Sequence, residues 1–254
     1  MRDALGSVQS VLVLGGNSDI ALAIVDRLVA SRCQRVVLGV RDPGSASGSV
    51  TRFRAAGAQT VEVVRFDALD PASHAGVIAE AVDLVGDLDM VILAAGILDG
   101  HHEIDTDPLL AARVIDTNFV GSVSAGLAAA VRLREQGHGT ILAISSVAGV
   151  RARAENMIYA SSKAGMDAFC QALGDALAGT GARCVIVRPG FVHTQLTDGM
   201  KPAPFATTPD KIADTVISGL RRNKQLIWAP AIMMPMFLTL RHLPRVLWRR
   251  VSAA

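Results

Sequence analysis

The sequence predicts an α/β fold: a doubly wound parallel sheet in a single domain. Three observations carry this. Short apolar runs of strand length alternate with longer segments of helical period along most of the 254 residues, the order that builds a parallel sheet covered on both faces. The first apolar run ends in a glycine pair and passes straight into a helical pattern. A later run, Tyr159-Ala160-Ser161-Ser162-Lys163, opens another helical pattern shortly after a buried strand that ends in two serines.

Half of the residues are hydrophobic, enough for a sizeable core at this length. Val8 to Leu14 is the first strand, closing in Gly15-Gly16-Asn17-Ser18-Asp19-Ile20-Ala21, after which Leu22, Ile24, Val25 and Leu28 recur at helical spacing. Strand, glycine turn and helix in that order put backbone N–H groups and the positive end of the helix dipole at the turn. That is either a pyrophosphate site, which would make the sheet Rossmann-type, or an ordinary βα turn. A perfect repeat would carry glycine where Asp19 and Ala21 stand. Asp19 can cap the helix or complement its dipole, whereas a carboxylate aimed at the phosphates would repel them. Arg35 to Val40 is a second strand ending at Arg41-Asp42. In a dinucleotide fold this spot faces the adenosine ribose, where an acid suits a 2′-hydroxyl and an arginine a 2′-phosphate. The adjacent pair leaves NADH and NADPH both open. Pro43 to Ser49 is a loop, Val50 to Ala56 a short helix and Thr60 to Phe66 a third strand. Asp67 follows at once, placed either to accept from an adenine amino group or to cap the segment after Pro71.

Asp89 to Ala94 is a fourth strand closing in Ala94-Ala95-Gly96, whose small side chains let a flat ring approach the backbone. A long helix from about Asp107 to Glu135 carries Asn118 among apolar neighbours. A buried amide needs a partner, either a backbone group or a water held for proton relay. Gly139 to Ile144 is a strand running into Ser145-Ser146, and open α/β sheets hold ligands at the carboxyl ends of strands. Ser146, thirteen residues before Tyr159, is the hydroxyl expected to face one. Tyr159 is the sole tyrosine, and Lys163 lies one helical turn on, on the same face. An ammonium there favours phenolate, so the phenol is expected below its usual value of about 10. Arg183 to Val187 is a sixth strand leading into Arg188-Pro189-Gly190-Phe191-Val192-His193-Thr194. Proline and glycine force a turn there, leaving the Val192 backbone and the Thr194 hydroxyl for a ligand. Met200 to Thr208, with Pro202 and Pro204, reads as a substrate lid.

Taken in order, the glycine turn, Asp67, Ala94-Ala95-Gly96, Asn118, Ser146, Tyr159, Lys163 and Pro189-Gly190 make the chain resemble the short-chain dehydrogenase/reductase family, from Val8 to about Pro230. The resemblance implies an NAD(P)-dependent oxidoreductase acting on CH–OH groups. It implies that Tyr159 donates the proton, Ser146 positions the carbonyl oxygen, Lys163 binds the nicotinamide ribose and Asn118 supports the relay. Implied cofactor contacts are Gly15, Asn17, Asp19 and Ile20 at the turn, then Arg41 and Asp67. Ala94, Gly96, Val192 and Thr194 are implied as further cofactor contacts, with Tyr159 and Lys163. Ala94 stands where the family usually has asparagine.

A narrower resemblance lies at both ends, in Leu14 to Ala21, in Leu226-Ile227-Trp228-Ala229-Pro230 and in Leu240-Arg241-His242-Leu243-Pro244-Arg245. These segments are similar to actinobacterial reductases of decaprenylphosphoryl-2-keto-β-D-erythro-pentose, the reductive half of a 2′-epimerase. It implies NADH as cofactor, a polyprenyl-phosphate keto-sugar as substrate, a flavoprotein oxidase as partner subunit, and a product that feeds cell-wall arabinan. The alternatives are reduction of another apolar ketone, steroid or fatty-acyl, and a non-catalytic dinucleotide-binding subunit.

Cys33, Cys170 and Cys184 are widely spaced and odd in number, which implies neither a disulfide framework nor a metal site and suits a reducing compartment. The first residues lack an apolar h-region, so no signal peptide is expected. A formal net charge of +2 is unevenly spread. From Thr215 to Ala254 there are seven basic residues and no acidic one, leaving the first 214 residues at −5. That asymmetry calls for an anionic partner. Aromatic interleaving for base stacking is missing, so nucleic acid is not expected. Leu226 to Leu240 is uncharged and interrupted by Pro230 and Pro235, too short for the roughly 20 residues of a spanning helix. The expectation is therefore a catalytic domain over residues 1–228 and a tail over 229–254 lying at an anionic membrane surface. The protein would be cytoplasmic and peripheral to the inner membrane. In the other reading, Ile232 to Leu240 packs on the core or on a second copy in a homo-oligomer.

Overall fold

The computed structural model describes residues 7–98 and 107–252. Its centre is a seven-stranded, wholly parallel sheet in the order β3-β2-β1-β4-β5-β6-β7. The strands are β1 (Ser10–Leu14), β2 (Arg35–Val40), β3 (Thr60–Arg65), β4 (Met90–Leu93), β5 (Gly139–Ile144), β6 (Ala182–Pro189) and β7 (Leu226–Ala229). The helices are α1 (Asp19–Ala30), α2 (Ser47–Ala55), α3 (His74–Val85), α4 (Pro108–Ile115), α5 (Gly121–Gln136), α6 (Met157–Ala176), α7 (Pro209–Arg221), α8 (Met233–Leu240) and α9 (Arg245–Ser252). Strand order reverses between β1 and β4, and it is at such a switch point that a doubly wound sheet opens a crevice for ligand.

Two apolar cores result, one on each face of the sheet. Ile24 and Val25 of α1, Phe53 of α2 and Ile212 and Val216 of α7 pack with Val11, Val13, Val36 and Leu38 on one face. Val77 and Ile78 of α3, Ala125, Ala129 and Leu133 of α5 and Met166 and Leu173 of α6 pack with Leu12, Leu14, Val91 and Ile141 on the other. Leu12, Ile92, Ile141 and Leu142 are wholly buried, each contributing roughly 1.5–3 kcal/mol relative to exposure. Burial on both faces explains why these strands read as continuous apolar runs.

The structure departs from the sequence reading in two elements. The long helix is broken by a π turn, Asp116–Val120, between α4 and α5. Together Pro108–Gln136 has the length and hydropathy to cross a bilayer, but 44% of its most apolar stretch is buried and Ala125, Ala129 and Leu133 lie in the core, so it is a core helix. The uncharged run from Leu226 also divides. Its first four residues become the edge strand β7, paired to β6 from Ile186↔Leu226 to Pro189↔Ala229, and α8 follows. Residues 99–106 lie outside the described residues.

Candidate active site

The glycine turn sits where β1 meets α1. Gly15 has φ +99°, and a Cβ there would lie 2.5 Å from the Ala95 nitrogen, so only glycine fits both the conformation and the approach to the chain after β4. The N–H groups of Gly15 and Gly16 donate to Gly39 O at 3.0 and 2.9 Å, fixing the turn against β2. Ser18 is the cap of α1, its Oγ accepting from Ala21 N at 3.4 Å. The Asp19 carboxylate is committed elsewhere: Oδ2 accepts from the Gln195 N–H at 2.8 Å. It thereby ties the glycine turn to the segment after β6, 176 residues on. Asn17 Nδ2 donates to Ser45 Oγ at 2.8 Å, a second tie, toward the end of β2.

A cleft of about 800 Å³ runs from this turn to the end of β5. Gly15, Asn17, Asp19 and Ile20 line one end with Arg41 and Asp42. Asp67, Ala94 and Gly96 line its middle, and Ser146, Tyr159, Lys163, Val192 and Thr194 the far end. Every residue expected to touch the cofactor therefore faces one continuous space. The lining suits a dinucleotide: a helix amino terminus at one end, the Asp67 carboxylate, and the small residues Ala94, Ala95 and Gly96. A Cβ at Gly96 would stand 3.4 Å from Asn118 Oδ1 and 3.6 Å from Lys163 Nζ, ordinary contact distances that place Gly96 next to both side chains. Asp67 Oδ1 accepts from Leu69 N at 3.0 Å, a local turn contact in a residue that lines the cleft.

At the far end both serines border the cleft but differ in what holds them. Ser145 is buried, with Oγ donating to Asp167 Oδ2 at 3.1 Å. Ser146 is half-buried and lines the cleft, with its Oγ accepting from Ala148 N at 3.1 Å and hydrogen-bonded to the Tyr159 hydroxyl. Lys163 is buried, donating from Nζ to Ile144 O at 2.9 Å. Its Nζ stands 5.8 Å from the centre of the Tyr159 ring. Here the electrostatic expectation fails. Burial pushes the Tyr159 phenol up to about 12, and the Ser146 hydrogen bond offsets this only in part. Burial also pulls the Lys163 ammonium down to about 8. The amine shares the phenol's helical face but turns to a carbonyl, so loss of water outweighs the attraction of the charge.

Asn118 does not reach the cleft. It is fully buried in the π turn, with Oδ1 accepting from Ile97 N at 2.7 Å and Nδ2 donating to Ile97 O at 2.8 Å and to Ser162 Oγ at 3.2 Å. It clamps the chain after Gly96 to α6, one residue from Lys163, and is a positioning residue in this geometry.

Sequence reasoning missed two arrangements. One is the buried pair of Arg188 with Asp167, whose Nε and Nη2 donate to the carboxylate at 2.8 and 2.6 Å. Ser145 and Gln171 donate to the same carboxylate, at 3.1 and 2.7 Å. The signal was a carboxylate one turn beyond Lys163 on an apolar face, since a buried charge requires a partner. The other is the carboxyl-terminal wall. Met233, Met236, Phe237 and Leu240 of α8 and Trp248 of α9 line the cleft, joined by Met200, Ala203 and Pro204 of the expected lid. Trp248 Nε1 donates to Ala152 O at 3.0 Å, and the Arg151 guanidinium stacks 5.0 Å from the Trp248 ring centre.

The sequence profile of the family described as short chain dehydrogenase matches residues 9–204. An uncharacterized oxidoreductase of Streptomyces coelicolor is 44% identical over 250 residues, covering 98% of each chain. An uncharacterized oxidoreductase of Mycobacterium tuberculosis is 39% identical over 241 residues, covering 95% of this chain and 96% of its own. A short chain dehydrogenase from Burkholderia cenocepacia, solved in complex with NADP, has a TM-score of 0.80 at 19% identity, covering 96% of this chain and 97% of that one, and is a likeness of fold. With family profile, relatives and fold in agreement, the chain belongs to the short-chain dehydrogenase family and is an NAD(P)-dependent oxidoreductase.

Proposed function

We propose that the chain reduces the keto group of a 2-keto-pentose carried on a polyprenyl phosphate, with NADH as the reductant. The observation that carries this reading is the apolar wall beside Ser146 and Tyr159, built by Met233, Met236, Phe237, Leu240 and Trp248. A small hydrophilic substrate gains nothing from so much apolar surface, whereas burial of a hydrocarbon chain is worth about 0.8 kcal/mol per CH₂. The terminal segments similar to keto-pentose reductases point the same way.

Bound NAD(P)H would supply a hydride to the carbonyl carbon. Ser146 Oγ would donate to the carbonyl oxygen and hold it beside the Tyr159 hydroxyl. Tyr159, its phenol raised to about 12, carries the proton that the oxygen takes up as it becomes an alkoxide. Lys163, anchored to Ile144 O, would bind ribose hydroxyls and shield the phenolate as it forms. Ketone, hydride and one proton give the alcohol, and solvent returns the proton to Tyr159.

The test is oxidation of NADH on adding a keto-pentose polyprenyl phosphate, alone and with a flavoprotein oxidase that generates it. Turnover of that lipid well above turnover of steroid and fatty-acyl ketones is the expected result. The reverse order would replace this substrate with another apolar ketone, which the same wall also accommodates.

A further inference from the structure

The outer side of α8 and α9 is used neither by the sheet nor by the cleft. On α8, Met233 is buried and Met236, Phe237 and Leu240 face the cleft, whereas Met234 and Leu238 are 49% and 37% exposed. Met234, Leu238 and Arg241 follow one another at i, i+4 and i+7, one stripe of the helix. On α9, Trp248 turns inward while Val246 and Leu247 are 67% and 48% exposed beside exposed Arg245 and Arg250. The segment is fixed to the domain and not loosely appended. Arg151 donates to Leu243 O at 2.9 Å and to Arg241 O at 3.4 Å, and Trp248 is held as described.

We propose that this face of α8 and α9 docks on an anionic lipid bilayer. Two properties favour that occupant. Apolar side chains alternate with arginines in a segment, Thr215 to Ala254, whose sequence holds seven basic residues and no Asp or Glu. An anionic headgroup layer attracts the exposed Arg241, Arg245 and Arg250 at about 1 kcal/mol each, and the side chains of Met234, Leu238, Val246 and Leu247 enter the acyl boundary. A second copy of the chain supplies the wrong sign, since a symmetric contact would bring arginine against arginine. Each helix has eight residues, about 12 Å against a hydrocarbon core of about 30 Å, so they lie on the surface and do not cross it. Their inner sides line the cleft, so an apolar chain held there stays close to the bilayer.

The experiment is co-sedimentation of the full chain with vesicles of mixed phosphatidylglycerol and phosphatidylcholine, and with vesicles of phosphatidylcholine alone. Pelleting with the first and not the second is expected. Arg245→Glu with Arg250→Glu, and separately Val246→Asp with Leu247→Asp, should each lower the bound fraction about tenfold or more. Both variants should still reduce a small water-soluble ketone, which certifies the fold and separates this test from the substrate assignment. Indifference to anionic lipid, unchanged pelleting of both variants, or a change in sedimenting mass in place of vesicle binding would each overturn the proposal.

Discussion

Tyr159 keeps its proton across the working range because burial holds its phenol at about 12, and the group that titrates is its neighbour. Lys163 falls from 10.5 to about 8, so reduction should decline as pH rises through about 8, where the ammonium that shields the developing phenolate is lost. A rate profile with its basic limb near the phenol value would contradict this. The same shift bears on stability. The folded state binds the Lys163 proton less tightly than the unfolded state, so its penalty is fully present below about pH 8 and fades as pH climbs toward 10. Lys163→Met should therefore raise the melting temperature at neutral pH while abolishing turnover, and the gain should shrink in alkaline buffer. Thermal melts in the two buffers decide it. Tyr159→Phe removes only the hydroxyl, so cofactor binding should survive while reduction drops about 10²- to 10⁴-fold, the usual contribution of a positioned proton donor. Titration with NADH alongside the rate separates the two effects.

The strands and the glycine turn were readable along the chain because their causes are local: apolar runs buried on two faces, and a turn that only glycine can make. Spacing to Tyr159 favours Ser146 over Ser145; both line the cleft, and it is the Ser145 hydroxyl that donates to Asp167. What could not be read depends on partners far apart in sequence. Asp19 answers to Gln195, 176 positions away, and Arg151 to Leu243, 92 away. Nor does the apolar pattern of a long helix mark where one extra residue enters a turn, so the π turn that sinks Asn118 behind the cleft was invisible. The Asp167–Arg188 pair is the most consequential of these hidden contacts, since it joins α6 to β6 directly beneath the serine. Removing one partner strands a buried charge at a cost of about 3–5 kcal/mol, near 10 °C of melting temperature for a chain of this size. Asp167→Asn should show that loss, and Asp167→Leu combined with Arg188→Met should recover much of it. A loss in the double variant equal to the sum of the Asp167→Leu and Arg188→Met losses would mean the pair is not coupled.

One sheet thus serves two ends of a reaction, with the dinucleotide half of the cleft built from β1 to β4 and the substrate half closed by segments after β6. The substrate half depends on α9, whose inward anchor is Trp248, bonded to Ala152 O and stacked under Arg151. Such a stack and hydrogen bond together hold the helix by about 1–2 kcal/mol. Trp248→Ala removes both and takes an aromatic wall from the cleft, without touching Ser146, Tyr159 or Lys163. A long-chain substrate should then show KM raised roughly tenfold, the equivalent of that energy. A short water-soluble ketone that never reaches α9 should keep both its kcat and its KM. If the variant instead lost turnover of both substrates in proportion, α9 would be a support for the catalytic residues, and the apolar wall would have no part in selecting what is reduced.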